Sequence, residues 1–232
     1  MSPSSWTSSD EAARLTARPV APGTRAGGAA PGVHALDLGP GPEVLVRMPS
    51  TDAGGPPRLV LTLHGAGGNA GGGLQPLLPL ADSHRLLLLS PSSRDDTWDV
   101  IRQRGWGSDV RRIDQALTRV LATYPVDVAH LAISGFSDGA SYALSLGLAN
   151  ADLFTHVIAF SPGFVAPGPR VGTPRVYISH GRSDPVLPID RATRRIVPRL
   201  EAAGIPTTVH EFDGPHLVPP DVAENAVRWL TR

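Results

Sequence analysis

Two patterns of hydrophobic and polar residues alternate along the chain from about residue 33 onward. Short apolar runs predict strands, and runs that are almost wholly apolar are typical of parallel strands buried on both faces. Apolar residues spaced three and four apart predict amphipathic helices. The predicted strands are residues 33–38, 43–48, 58–65, 85–89, 129–133, 156–160, 175–179 and 207–211. The predicted helices are residues 109–124, 140–149, 189–203 and 221–230.

This order of elements predicts the fold class. Residues 33–48 predict an antiparallel hairpin, because two strands flank a Gly-Pro turn. The strand–helix units that follow predict a single α/β domain over residues 32–232, with a mostly parallel central sheet and helices on both faces. Residues 1–31 are rich in Ser, Ala, Gly, Pro and Arg, which predicts a flexible N-terminal arm.

Composition argues against several classes of function. The 232 residues carry 21 basic and 21 acidic side chains, and this zero formal net charge does not suit a nucleic-acid partner. The chain has no cysteine for disulfides or thiolate chemistry and no lysine for covalent catalysis. No apolar stretch reaches transmembrane length, and no signal peptide is seen at the N-terminus. A cytoplasmic monomer or homodimer is therefore the default expectation.

The motif Gly135-Phe136-Ser137-Asp138-Gly139 stands between a predicted strand and a predicted helix. A nucleophile at such a sharp turn is held in a strained backbone conformation, and glycines on either side let the turn close without clashes. An ordinary glycine turn could contain the same pattern, but the strand before it and the helix after it favour a nucleophile. Ser137 is therefore the candidate nucleophile.

The loop after the third strand reads His64-Gly65-Ala66-Gly67-Gly68-Asn69. Glycines leave backbone N–H groups uncovered, and the oxyanion of an acyl-transfer intermediate needs such donors. A phosphate cradle is the rival interpretation, but no G-K-[ST] motif follows. His64 and Asn69 are interpreted as residues that brace this loop.

Asp184 and His216 each stand just past the end of a predicted strand, where ligands bind in parallel sheets. Either residue alone would more often be structural. Together with Ser137 they give the order Ser, Asp, His, in which an imidazole takes the serine proton and a carboxylate orients the imidazole. Asp213 is the weaker candidate for the acid, because it lies on the loop of the histidine itself.

These motifs resemble the α/β-hydrolase superfamily, and within it the small serine esterases of the phospholipase/carboxylesterase and predicted-esterase type. The resemblance extends over residues 33–232 and is carried by L-H-G-A-G-G-N, G-F-S-D-G, H-G-R-S-D-P-V-L-P and G-P-H. It implies a triad of Ser137, Asp184 and His216, with backbone N–H groups of Ala66 and Asp138 as the oxyanion hole. Asp138 departs from the pattern, since a neutral residue often follows the nucleophile, and its carboxylate is expected to turn away.

Only residues 161–174 separate the sixth and seventh strands. This is too short for the lid domain that several members of the fold carry, so an open mouth is expected. The candidate substrate-binding residues are Gly65, Trp98, Trp106, Phe136 and Phe164. A tryptophan in such a loop is as often a packing residue as a substrate wall. No cofactor and no metal ion is expected, since there is no cysteine and no H-E-x-x-H motif.

The resemblance implies a carboxylic ester hydrolase that forms an acyl-enzyme intermediate with a small-molecule ester of short to medium acyl chain. A lysophospholipase or an acyl-thioesterase with a longer acyl groove is a close alternative. A non-catalytic, ligand-binding member of the fold is a second alternative, although no member of the triad is missing. A peptidase on this fold usually brings a gating domain that this length does not hold.

Overall fold

The computed structural model describes residues 11–20, 30–50, 55–103 and 105–232. Its strands are β1 Gly32–Ala35, β2 Val44–Met48, β3 Arg58–Leu63, β4 Leu86–Pro91, β5 Ala132–Phe136, β6 His156–Phe160, β7 Arg175–Gly181 and β8 Thr207–Phe212. They form one sheet in the order β1-β2-β4-β3-β5-β6-β7-β8. β2 is antiparallel to both β1 and β4, and all other neighbours are parallel. The predicted sheet with its N-terminal hairpin is confirmed.

The α-helices of the described residues are α1 Ala70–Leu74, α2 Asp99–Arg102, α3 Ser108–Thr123, α4 Asp138–Ala149, α5 Thr193–Ala202 and α6 Pro220–Leu230. Successive side chains of a strand point to opposite faces of the sheet, so they pack in two separate hydrophobic cores. Leu61 and Ile133 belong to the core that includes α3, α4 and α5. Val60 and Ala132 belong to the core that includes α1 and α6. Helices therefore cover both faces of the sheet, as predicted. Within the described residues, none of the helices has the length and apolar composition to span a membrane.

Local capping explains two differences from the predicted elements. α1 has the sequence Ala-Gly-Gly-Gly-Leu, which disfavours a helix. It forms because Asn69 caps it, accepting the N–H of Gly72 at 3.0 Å. The fifth strand was predicted at residues 129–133, but Val128–His130 is a 3₁₀ turn in which Asp127 accepts the N–H of Ala129. β5 consequently begins later and ends directly before Ser137.

Residues 11–20, part of the predicted N-terminal arm, pack against the domain. Ala13, Leu15 and Ala17 are each at most 2% exposed. The N–H of Leu15 donates to Oδ1 of Asn150 at 2.8 Å, and Nδ2 of Asn150 donates to the carbonyl of Ala13 at 2.9 Å. Alternate small apolar side chains thus dock this segment beside the end of α4. The remainder of the predicted arm before residue 30 lies outside the described residues.

Candidate active site

Ser137 lies at the turn between β5 and α4, with φ of 57° and ψ of −119°. A positive φ is rare for a residue with a side chain and costs on the order of 1–3 kcal/mol. Backbone hydrogen bonds hold this conformation: the N–H of Ser137 donates to the carbonyl of Phe160 at 2.9 Å, and its carbonyl accepts the N–H of Ala140 at 3.0 Å. The turn places the serine at the carboxyl edge of the sheet, where it is 9% exposed.

Gly135 and Gly139 flank the turn at places where the backbone of another residue comes too close for a side chain. A Cβ on Gly139 would lie 2.3 Å from the carbonyl oxygen of Leu63, and a Cβ on Gly135 would lie 2.2 Å from that of Gly139. Both distances are far inside van der Waals contact, and a backbone carbonyl cannot rotate aside as a side chain would. The glycines therefore allow α4 to begin directly against the end of β3.

The three residues predicted as a triad form one chain of hydrogen bonds. Nδ1 of His216 lies 2.5 Å from Oδ2 of Asp184, and Nε2 of His216 lies 2.9 Å from Oγ of Ser137. Because an ionised carboxylate only accepts hydrogen bonds, Nδ1 carries the proton and Nε2 is left to accept from the serine hydroxyl. This is the tautomer in which the imidazole can act as a base toward Ser137.

Asp184 is held by hydrogen bonds on both of its oxygens. Its side chain is completely buried, and Oδ1 accepts the backbone N–H of Val186 at 2.9 Å and of Leu187 at 2.8 Å. Burial opposes ionisation, but the N–H of Leu187 and the contacts with His216 outweigh it, so the pKa of Asp184 lies below its usual value. The residue is therefore a carboxylate beside the imidazole that it orients.

His180 also contacts the acid, and the sequence analysis missed this contact. The ring of His180 is completely buried, with Nε2 at 2.7 Å from the carbonyl oxygen of Leu187 and at 3.2 Å from Oδ2 of Asp184. Since a carbonyl only accepts, Nε2 carries the proton and Nδ1 accepts from the hydroxyl of Thr193 at 2.7 Å. Burial lowers the pKa of His180, which favours this neutral form. The sequence does contain a signal for this contact, because His180 lies at the end of β7, four residues before Asp184.

The backbone N–H groups of Ala66 and Asp138 have no acceptor within the described residues. Asp138 is the first residue of α4, and the first N–H groups of a helix have no partner inside it. Ala66 follows Gly65, on which a Cβ would lie only 3.3 Å from Cβ of Ser137. The site therefore offers two unused donors close to the serine, as an oxyanion hole requires.

The carboxylate of Asp138 is turned toward a neighbouring loop. Its Oδ2 accepts the hydroxyl of Thr97, in the segment after β4, at 2.6 Å. A free carboxylate would repel an oxyanion at the adjacent N–H groups. The contact with Thr97 gives the negative charge a fixed partner, in agreement with the expected orientation.

His64 braces the glycine-rich loop, and Trp98 packs against His64. Nδ1 of His64 donates to the carbonyl of Gly65 at 2.7 Å, and Nε2 accepts the N–H of Ser93 at 2.9 Å. The prediction that Trp98 is a substrate wall is wrong, because its side chain is fully buried. Its indole N–H donates to the carbonyl of His64 at 2.9 Å, and the two rings are 4.7 Å apart. Trp98 thus buries a large apolar ring while satisfying its one polar atom.

The other aromatic residues predicted to bind substrate are Phe136, Trp106 and Phe164, and they lie in three different parts of the structure. The ring of Phe136 lies 4.7 Å from the imidazole of His216 and is therefore at the site. Trp106 is partly buried and packs on Tyr142, with 5.3 Å between the ring centroids. Phe164 is 37% exposed and lines a groove beside α5.

Asp213, the weaker candidate for the acid, faces solvent. Its side chain is 89% exposed, and its Oδ1 lies 2.7 Å from Nη1 of Arg182. The contact to Nδ1 of His216 is made by Asp184. Across the described ranges of the chain, no group of three or more His, Asp or Glu side chains is arranged to hold a metal ion.

No protein-family model and no curated protein matches the chain. Solved structures do match it. Esterase PE8 has a TM-score of 0.65 at 23% identity, covering 80% of this chain and 96% of its own. The S-formylglutathione hydrolase FrmB from Staphylococcus aureus has a TM-score of 0.67 at 14% identity, covering 88% and 99%. The acetyl xylan esterase from Aspergillus awamori has a TM-score of 0.68 at 15% identity, covering 86% and 98%. The chain therefore has the α/β-hydrolase fold.

Proposed function

We propose that this protein is a serine esterase that hydrolyses carboxylic esters through an acyl-enzyme intermediate. The observation that carries the proposal is the hydrogen-bonded chain from Ser137 through His216 to Asp184, which begins at the strained turn. The names of the structural neighbours support it, since they include two esterases and an S-formylglutathione hydrolase.

In the acylation half of the reaction, Oγ of Ser137 attacks the ester carbonyl carbon while its proton moves to Nε2 of His216. The electron pair of the carbonyl bond moves to oxygen, and the N–H groups of Ala66 and Asp138 donate to that oxyanion. Asp184 stabilises the imidazolium. The intermediate then collapses, the bond to the alcohol oxygen breaks, and the alcohol leaves with the proton from His216.

In the deacylation half, water takes the place of the alcohol. It attacks the acyl carbon on Ser137 as His216 accepts its proton, and a second oxyanion forms at the same N–H groups. Collapse breaks the bond to Oγ, the proton returns from His216 to the serine, and the carboxylic acid leaves. Since each proton taken by His216 is returned, the enzyme ends unchanged.

We propose a small-molecule ester with a short to medium acyl chain, about two to six carbons, as the substrate. Each further CH₂ adds ~0.8 kcal/mol of binding only where a wall buries it. Phe136 lies beside His216, but Trp98 belongs to the core, and residues 161–174 form no helix or strand that would make a lid. A lysophospholipase or thioesterase would instead gain kcat/KM steadily out to about ten or twelve carbons.

The test is a chain-length series of p-nitrophenyl esters with the wild type, Ser137→Ala and Ser83→Ala. Ser83 is an exposed serine away from the sheet edge and serves as the matched control. Ser137→Ala removes only the nucleophilic oxygen, so turnover should fall on the order of a millionfold while the protein stays folded. A folded Ser137→Ala protein with a tenth of the wild-type activity would contradict the proposal. A wild type without hydrolytic activity would favour the non-catalytic alternative.

A further inference from the structure

A groove of about 530 Å³ lies between α5 and the loop after β6, outside the residues that the proposed mechanism uses. Its apolar lining includes Ile196 of α5 and Phe164 of the loop. None of its lining residues among the described part of the chain is Asp or Glu. Four arginines line it: Arg170, Arg191, Arg195 and Arg199.

The protein does not neutralise these four arginines. Within the ranges that the structure describes, no carboxylate lies at ion-pair distance from any of them, and all four are exposed. Arg194, on the same helix, is a useful contrast. It pairs with Asp190 at 2.8 Å and with Glu211 at 2.7 Å. The helix therefore turns a paired arginine toward β8 and leaves unpaired arginines in the groove.

The positions of three of these arginines along the chain bring their positive charges close together. Arg195 and Arg199 are four residues apart in α5 and share one face, and Arg191 stands one turn earlier. Like charges at this spacing destabilise a helix, so the arrangement has a cost that a bound anion would relieve. The planar guanidinium fork matches carboxylate and phosphate oxygens in two-point hydrogen bonding.

One end of the groove, at Gly163, contacts residues that support the triad. At its end, the N–H of Gly163 donates to Oγ of Ser141 at 2.9 Å, and Oγ of Ser141 donates to the carbonyl of Ser137 at 3.2 Å. On the other side, a Cβ on Gly163 would lie 3.2 Å from Cδ2 of Leu187, whose N–H donates to Asp184. Gly163 thus connects the lining of the groove through Ser141 to the backbone of the nucleophile, and it lies beside Leu187 of the loop that holds the acid.

We propose that this groove binds the anionic part of the ester, so that the preferred substrate carries a phosphate or a carboxylate group. The inference rests on the proposed function, because it makes the groove a substrate site of the same reaction. A volume of about 530 Å³ suits a small molecule. Apolar residues such as Phe164 and Ile196 would contact the carbon chain, and the arginines would hold the charged end.

The test uses two pairs of esters that differ only in charge. Acetylglycerol phosphate against acetylglycerol places a phosphate on the alcohol, and mono-p-nitrophenyl adipate against p-nitrophenyl hexanoate places a carboxylate on the acyl chain. Wild type is compared with Arg191→Gln/Arg195→Gln. The control is Arg111→Gln/Arg119→Gln, which removes two exposed arginines of α3. Binding of glycerol phosphate and of adipate is measured by calorimetry on the same proteins, independently of activity.

In at least one pair, wild type should favour the charged ester in kcat/KM by about tenfold at low salt, since two or more arginines act together. The groove variant should lose at least about fivefold of that preference while its activity on the neutral ester is unchanged. The control variant should keep the preference. The pair that responds identifies whether phosphate or carboxylate is the bound group.

Two results would overturn the proposal: neither anion binds and both esters of each pair react equally, or the control variant loses the preference as fully as the groove variant. If no ester is hydrolysed but an anion binds wild type and not the groove variant, the esterase proposal fails and the anion site stands. If neutral esters are hydrolysed without any anion binding, the esterase proposal stands and the groove assignment fails.

Discussion

His180 lies directly against Asp184, with 3.2 Å between Nε2 and Oδ2, so two imidazoles contact the same carboxylate oxygen. His216 contacts the oxygen from the side of the nucleophile. His180 contacts it from the interior, where Thr193 and the carbonyl of Leu187 fix the ring. Asp184 is thus contacted by a second, buried histidine that has no place in the proposed proton transfer.

His180→Leu should lower kcat by about tenfold to a hundredfold with little change in KM. The substitution removes the N–H group that lies 3.2 Å from Oδ2 of Asp184, a polar contact to a charged group worth about 1.5–3 kcal/mol, and lets Asp184 move away from His216. His180→Gln retains an N–H donor and should recover part of the loss. The measurement is kcat and KM on p-nitrophenyl acetate, with thermal unfolding to confirm folding. A folded His180→Leu protein with wild-type kcat would show that the contact does not position the acid.

Gly139→Ala should destabilise the protein by at least about 3 kcal/mol or prevent folding. The new Cβ would meet the carbonyl oxygens of Leu63 and His64 at 2.3 and 2.5 Å, and overpacking against backbone cannot be relieved by a change of rotamer. Gly105→Ala is the control, because a Cβ there would have nothing within 4 Å. The measurement is the thermal unfolding midpoint of each variant, and that of Gly139→Ala should be much lower than that of Gly105→Ala. Equal midpoints would mean that the turn can open without cost.

The grouping of Ser137, Asp184 and His216 was predictable because each residue lies at or shortly after the end of a strand. Buried parallel strands have a strong apolar signal, so their ends are visible in the sequence, and parallel topology brings those ends to one edge. Ser137, Asp184 and His216 therefore could be grouped before their distances were known. The same reasoning gave the sheet and its hairpin.

Other features depend on contacts between residues that are distant in sequence. Trp98 is buried because the carbonyl of His64, 34 positions earlier, accepts its N–H. Residues 11–20 dock because Asn150 satisfies their backbone, and the composition of the segment does not reveal this. The contact of His180 with Asp184 depends on how the chain turns after β7. Such pairings lie outside what local pattern can predict.

Stability should fall on acidification through His156, the first residue of β6. Burial, with Arg175 and His130 nearby, lowers the pKa of His156 from 6.5 to about 4. Between these values the unfolded chain binds the proton and the folded chain does not, so the contribution of His156 to the free energy of unfolding decreases from about pH 6.5 to about pH 4. The loss is on the order of 3 kcal/mol.

Denaturant unfolding across this pH range tests the prediction. His156→Gln should flatten the pH dependence by the amount that His156 contributes, whatever its effect on stability at neutral pH. His34→Gln, which alters an exposed histidine of β1, is the matched control. Parallel curves for wild type and His156→Gln would contradict the assignment to this residue.

Thr97 should protect catalysis by restraining the carboxylate of Asp138, whose Oδ2 accepts the Thr97 hydroxyl at 2.6 Å. Two like charges about 6 Å apart repel by roughly 3 kcal/mol at an effective dielectric constant near 20. Thr97→Val frees the carboxylate to approach the oxyanion, so kcat should fall by about tenfold to a hundredfold, with KM little changed because that charge develops only in the transition state. Thr97→Ser should behave as wild type, and adding Asp138→Asn to Thr97→Val should restore kcat. If the double variant stays as slow as Thr97→Val, the effect of Thr97 does not pass through the charge of Asp138.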